Sequence, residues 1–264
     1  MKRNLAFFRL AVVTNLEYRL NYFTDAILQP VCAALIELTL WYSIFRTAHT
    51  EQIGGFQQSY YLAYALWAPF VSRITSNWMY EFRMIGEIES GGLNSLLVRP
   101  MSFFEYYMSQ LLGYKVITTL ISMVVPIGLC LVLELPVHLS SLPATFALLV
   151  YYVILVYLMS FIVSTLAFHL TKVHSITAAK NLGLWLLSGE LVPLDLIPQP
   201  YREWMIAMPF SSAVYLPVGY LTGRIDSTAF MHGFINTSYG IFIFGAIAWG
   251  MWHQGLKKYV GTGA

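Results

Sequence analysis

Ionisable residues are scarce in the apolar stretches of this chain, so each one found there is a candidate for function. Four stand out: Asp25, Glu37, Arg73 and Glu190. A charged side chain at the centre of a bilayer costs about 2.5–3.5 kcal/mol on insertion scales, so such residues are rare and pair with something. Asp25 and Arg73 fall at similar depth in the first two apolar runs and form a candidate ion pair. Glu37 lies twelve residues beyond Asp25, about 18 Å further along a helix. Two readings of Glu37 stay open. It is a cavity-facing carboxylate that meets a cationic or polar substrate, or it is satisfied by a neighbouring helix at a subunit interface. Glu190, with Lys180, brackets the weakest apolar run.

Other chemistry is excluded by spacing. There is no G-x-x-x-x-G-K-[ST] phosphate loop, no H-E-x-x-H and no G-x-S-x-G. His169 and His174 are five apart, which puts them on different helix faces rather than at metal-ligand spacing. Cys32 and Cys130 both lie in apolar runs and read as small buried hydrophobes. One deep carboxylate and no internal repeat argue against a proton-coupled carrier. No polar ring or filter marks a channel.

The elements that position these residues follow from composition. The chain has 264 residues, of which 58% are hydrophobic and 11% charged; mean hydropathy is +0.63. Soluble domains carry about 25% charged residues, so this chain cannot coat a water-facing surface. A soluble enzyme, a nucleic-acid-binding protein and a disordered chain are excluded, and a net charge of +2 does not suggest a polyanion partner. The composition predicts an all-α membrane protein with six transmembrane helices. The spans are Tyr22 to Phe45, Ser59 to Tyr80, Met108 to Leu133, Pro143 to Leu170, the weaker Ile176 to Val192, and Ala229 to Trp252. With both termini cytoplasmic, eleven lysines and arginines lie inside, Lys115, Lys172 and Lys180 among them. Only Arg46, Arg202 and Arg224 lie outside. Arg9 breaks the first apolar stretch and no small-residue cleavage site follows, so no cleavable signal peptide is expected.

Three segments lie outside the spans. Met1 to Leu20 carries Leu5, Phe8, Val12, Leu16 and Arg19 at helical spacing and reads as an interfacial helix, or else as a flank of the first span. In the cytoplasmic loop of residues 81–107, Ile85 and Ile88 share one helical face. Leu93, Leu96 and Leu97 form a second face after Gly91-Gly92, and Arg99-Pro100 stops the helix. Glu87 and Glu89 disfavour rest on an anionic lipid surface and favour a protein partner. The outer segment, residues 193–223, holds Pro193, Pro198, Pro200, Pro209 and Pro217 yet stays apolar. Prolines forbid one long helix, so short re-entrant helices packed against protein are expected.

Two motifs resemble a known family. Gly86-Glu87-Ile88 with Leu96-Leu97-Val98-Arg99-Pro100 resembles the first cytoplasmic loop of type-two ATP-binding-cassette (ABC-2 type) exporter permeases. Ser188-Gly189, Pro193 and Pro198, followed by Met208-Pro209-Phe210 and Tyr215-Leu216-Pro217, resembles their fifth-helix signature. The combination is most similar to the viologen-exporter-like branch and covers nearly the whole chain. The resemblance implies a permease subunit that forms half of a translocation pathway. A separate ABC ATPase, present in two copies and carrying ATP and Mg, would dock beneath it, and this chain itself would bind no cofactor. The N-terminal helix would be the elbow helix. Ile85, Gly86, Glu87, Ile88, Leu93, Leu96, Leu97, Arg99 and Pro100 would form the ATPase-coupling element. Ser188, Gly189, Pro193, Pro198, Pro209, Phe210 and Pro217 would form an outer gate. A second permease, a related chain or a second copy, would complete the pathway in a bacterial inner membrane. Glu190 departs from the family pattern, which is apolar or small at that position. Two other readings remain open from the residues alone: a membrane-integral lipid-modifying enzyme and a non-transporting structural membrane subunit.

Overall fold

Backbone polar groups in lipid must be satisfied within the chain, and helices do this segment by segment. The computed structural model describes residues 2–17, 23–170 and 172–259. Residues 18–22, including Arg19 and the predicted start of the first span at Tyr22, lie outside the described residues. Among the described residues, strand is confined to one antiparallel pair, β1 (Gln52–Ile53) and β2 (Phe56–Gln57).

Helix α1 (Lys2–Glu17) packs against α6 (Phe103–Val132), where Ala11 is fully buried. The close approach needs Gly113: a Cβ there would lie 2.6 Å from the Ala11 Cβ. Helix α2 (Thr24–Ala48) opens with one π turn and ends at His49 in the left-handed region. It packs on α3 (Gln58–Thr75), which is buried on nearly every side. The sequence reading carries this span on to Tyr80. The structure instead breaks it at Ser76-Asn77 and starts α4 (Trp78–Glu89). Ser and Asn side chains compete with helical backbone bonding, which favours a break there. The short α5 (Leu93–Leu97) follows.

Helix α6 begins at Phe103 rather than near Met108, because Ser102 and Glu105 form a capping box. The Ser102 hydroxyl accepts from the Glu105 N–H at 3.1 Å, and the Glu105 carboxylate accepts from the Ser102 N–H at 3.2 Å. Helices α7 (Leu142–Thr165) and α11 (Ser227–Lys258) form an extended pair. Asp226 caps α11 by accepting from the Ala229 N–H at 2.9 Å. Between them stand α8 (His174–Leu187), α9 (Tyr201–Ala207) and α10 (Tyr215–Leu221), with single 3-10 turns at Leu194–Leu196 and Pro209–Ser212.

Among the described residues, four helical stretches are long and apolar enough to cross a membrane: Thr24–Ala48, Phe103–Val132, Leu139–Phe168 and Ser227–Lys258. Helix α8, with fourteen residues, reaches only about 21 Å, short of an apolar layer about 30 Å thick. Exposed Ile36, Phe242 and Trp249 leave apolar faces on α2 and α11 that lipid, not water, would cover. The chain is an all-α membrane protein.

Candidate coupling element and buried polar residues

The predicted coupling loop is built differently from its sequence reading. Ile85 packs against Val163 and Val173. Ile88, Leu93 and Leu96 pack with Tyr80, Met84, Phe103 and Tyr107. All four of these coupling candidates are buried in their own chain and anchor the element; none is free to contact a partner. Helical periodicity finds an apolar face but not what covers it. Leu97 and Val98 are exposed, Val98 by 85%, and Arg99 and Pro100 are exposed beside them. Glu87 is also engaged internally. It hydrogen-bonds the Tyr107 hydroxyl and leans over Gly92, where a Cβ would collide with its carboxylate. Gly86 lines a shallow cleft with Arg83, Tyr106 and Gln110. Gly91, at φ +77°, makes the turn into α5.

Deeper in the bundle the structure brings Asp25 and Arg73 into an ion pair, and the Arg73 Nε donates to the Asp25 carbonyl at 2.9 Å. Lys115, counted as cytoplasmic from sequence, is instead buried within α6. Its Nζ donates to the Arg73 carbonyl at 2.8 Å and the Ser76 carbonyl at 2.5 Å, satisfying backbone oxygens that the α3–α4 break releases. Glu190 hydrogen-bonds Ser72 and lies within electrostatic range of Arg73 and Glu37. Glu37 is half-buried and makes no ion pair among the described residues.

Sequence reasoning missed a buried pair. Lys180 on α8 contacts Glu81 on α4, and the Glu81 side chain is fully buried. Lys180 also reaches the Ser160 hydroxyl on α7 at 3.4 Å. Glu81 sits at a predicted span end and Lys180 at a predicted span start; only the fold shows that they meet.

All the outer-gate candidates but Pro198 form one packed unit. The Tyr64 hydroxyl donates to the Gly189 carbonyl at 2.7 Å, and the Tyr215 N–H donates to the Ser188 carbonyl at 2.9 Å. Gly189 has φ +81°, and a Cβ there would lie 3.0 Å from the Tyr64 hydroxyl and 3.1 Å from the Tyr215 Cβ. Gly189→Ala is therefore expected to cost about 1–3 kcal/mol, measured as a lower melting temperature of the detergent-purified chain. Pro209 packs against Gly240 of α11, and Phe210 faces Phe244. Pro193 and Pro217 are buried, whereas Pro198 is exposed and takes no part in this packing. The centre of the unit is a residue that sequence reasoning did not single out. Asp195, with a side chain 1% exposed, accepts from the Tyr60 hydroxyl at 3.0 Å, the Tyr215 hydroxyl at 2.8 Å and the Arg224 Nη2 at 2.5 Å. The Arg224 guanidinium also lies 3.3 Å from the Phe56 ring centroid.

Among the described residues no cluster of His, Cys, Asp and Glu could hold a metal ion. A family model described as ABC-2 family transporter protein matches residues 31–263. No curated protein and no solved structure matches the chain. The matched stretch takes in the broken α3–α4 helix, the anchored α4–α5 element and the packed outer unit, and the chain belongs to the ABC-2 family of transporter membrane proteins.

Proposed function

We propose that this chain is the permease subunit of an ATP-driven exporter of the viologen-exporter-like branch and forms half of the translocation pathway. A separate ATPase, present twice, supplies the energy, because the chain carries no phosphate loop of its own. A second permease, related or identical, completes the pathway. Cytoplasmic termini in a bacterial inner membrane fit the distribution of Lys and Arg. Helix α1 serves as the elbow at the membrane surface, where exposed Leu10 and Val13 favour lipid.

One observation carries the coupling assignment. Leu97, Val98, Arg99 and Pro100 form an exposed, partly apolar tip on an element whose other apolar residues are anchored in the bundle. Such a tip presents a desolvatable knob to a partner, and the buried residues of α5 and α4 anchor it to the bundle beside α3. A push on the tip therefore reaches the α3–α4 break. The test is capture of the tagged chain in mild detergent, with mass spectrometry of co-purified protein. Wild type is expected to bring down an ATPase subunit. Val98→Asp and Arg99→Glu are each expected to cut recovery by about tenfold or more, the scale of losing one interface hot spot, without loss of the folded permease. Equal recovery with both variants overturns the tip assignment. Absence of any ATPase with wild type in several detergents overturns the permease reading and favours a membrane-integral lipid-modifying enzyme.

A further inference from the structure

A cleft of about 390 Å3 opens between α4 and the start of α6, and Tyr80, Arg83, Glu87, Tyr106, Tyr107 and Gln110 line it. Its volume is that of a small-ligand site. Arg83 and Glu87 stand one turn apart on α4, with Cβ atoms about 5–6 Å from each other. They do not pair. Among the described residues Arg83 makes no ion pair, and its guanidinium lies 5.2 Å from the Tyr80 ring centroid. Glu87 instead accepts from the Tyr107 hydroxyl. The cleft therefore holds a cation and an anion side by side, neither neutralising the other. A ligand of one sign meets one attraction and one repulsion there. A group with both signs a few bonds apart meets two attractions.

The cleft also lies where a lipid headgroup lies. Helix α6 is long and apolar enough to cross a membrane and begins at Phe103. Tyr106, Tyr107 and Gln110 fall in its first two turns, about 5–11 Å from its start. Tyrosine concentrates at this level, where its ring meets lipid and its hydroxyl meets water. Phe7 of α1 packs edge-on against Tyr106, with ring centroids 5.6 Å apart. Exposed Leu120 and Val124 continue the side of α6 that carries Tyr106 into the apolar layer.

We propose that this cleft holds the phosphoethanolamine head of a membrane lipid. The Arg83 guanidinium donates to the phosphate, and the Glu87 carboxylate accepts from the primary ammonium. The lipid is a resident of the cleft, not cargo. Its head bridges α4 to α6 and braces the element that leads to the Val98 tip. The site goes beyond the permease reading and does not depend on it.

The test is native mass spectrometry of the delipidated full chain, titrated with phosphatidylethanolamine. Two comparators carry the same acyl chains: phosphatidylglycerol, which has no ammonium, and phosphatidylcholine, whose ammonium has no N–H for Glu87. Wild type is expected to bind one phosphatidylethanolamine about tenfold more tightly than either comparator, the scale of one charge-assisted hydrogen bond. Arg83→Gln is expected to weaken that binding about tenfold. Glu87→Gln, which still offers Tyr107 an acceptor, is expected to erase the preference over phosphatidylglycerol. Arg46→Gln, at an exposed position near the other end of α2 from Asp25, is expected to bind as wild type does. No preference in wild type, unchanged binding in Arg83→Gln, a full preference in Glu87→Gln, or an equal loss in Arg46→Gln each overturns the site. Arg83 is exposed, so its variant keeps the fold and decides the matter if Glu87→Gln is unstable. Capture of an ATPase, measured separately, tests the permease reading, so the two fail independently.

Discussion

Asp195→Ala is expected to destabilise the purified chain by about 3–5 kcal/mol, the scale of removing one partner from a buried ion pair. The change strands the Arg224 guanidinium and leaves the Tyr60 and Tyr215 hydroxyls without their acceptor. These groups come from the start of α3, from α10 and from the turn after it, so the substitution unties three elements at once. Asp195→Asn keeps an acceptor but loses the charge and should fall between Ala and wild type. Tyr60→Phe removes one hydroxyl and should cost about 1 kcal/mol. Thermal unfolding in detergent ranks the series; an Asp195→Ala melting curve matching that of Tyr60→Phe contradicts the central role of the carboxylate. In the exporter reading, Asp195 holds the outer unit closed, and its loss should also raise passive leak of a small fluorescent solute from proteoliposomes.

Lys180→Ala is expected to be nearly as severe, again about 3–5 kcal/mol, because it leaves the fully buried Glu81 carboxylate unpaired. One oxygen of that carboxylate, Oε1, already lacks a hydrogen-bond partner, so nothing nearby takes over. Helix α8 has little else to hold it: Thr177 is its one buried residue. Hydrogen exchange across residues 174–187 should accelerate in Lys180→Ala and in Glu81→Ala. The double variant Glu81→Leu with Lys180→Met removes both charges and keeps apolar volume, so it should recover most of the lost stability. A double variant as unstable as either single one contradicts the account. Because α4 leads through the Gly91 turn and α5 to the tip at Val98, the pair joins the proposed docking element to α8. The double variant, restored in stability, should then show ATP hydrolysis poorly matched to substrate.

Local features of this chain were legible because their cause is local. Low charge and long apolar runs require lipid and helices, since water cannot solvate such a surface and lipid cannot satisfy an open backbone. Prolines between Pro193 and Pro217 rule out one long helix there, and the structure has short helices and 3-10 turns instead. Similar depth in two apolar runs was enough to bring Asp25 and Arg73 together on paper, because a bilayer gives every span a common ruler. The capping box at Ser102 was also legible in principle, as Ser-x-x-Glu before an apolar run. It moves the start of α6 to Phe103.

The rest is decided by which faces meet, and no period along the chain encodes that. Ile85, Ile88, Leu93 and Leu96 form apolar faces whether they face a partner or their own core; the packing of α4 and α5 against α6 and α7 turns them inward and leaves Val98 as the tip. Asp195 is an ordinary loop aspartate in sequence, and Tyr60, which binds it, is 135 positions away. Glu81 and Lys180 are 99 positions apart. Arg83 and Glu87 read as an ordinary charged face of α4 until the cleft between them and α6 is seen. The sequence by itself determined the solvent, the helical class and the family of this protein, because hydropathy and motif order are written along the chain. Only the tertiary structure decided which charges are paired, which apolar residues stay exposed and where a polar cleft remains unfilled, because those depend on contacts between segments far apart in the chain.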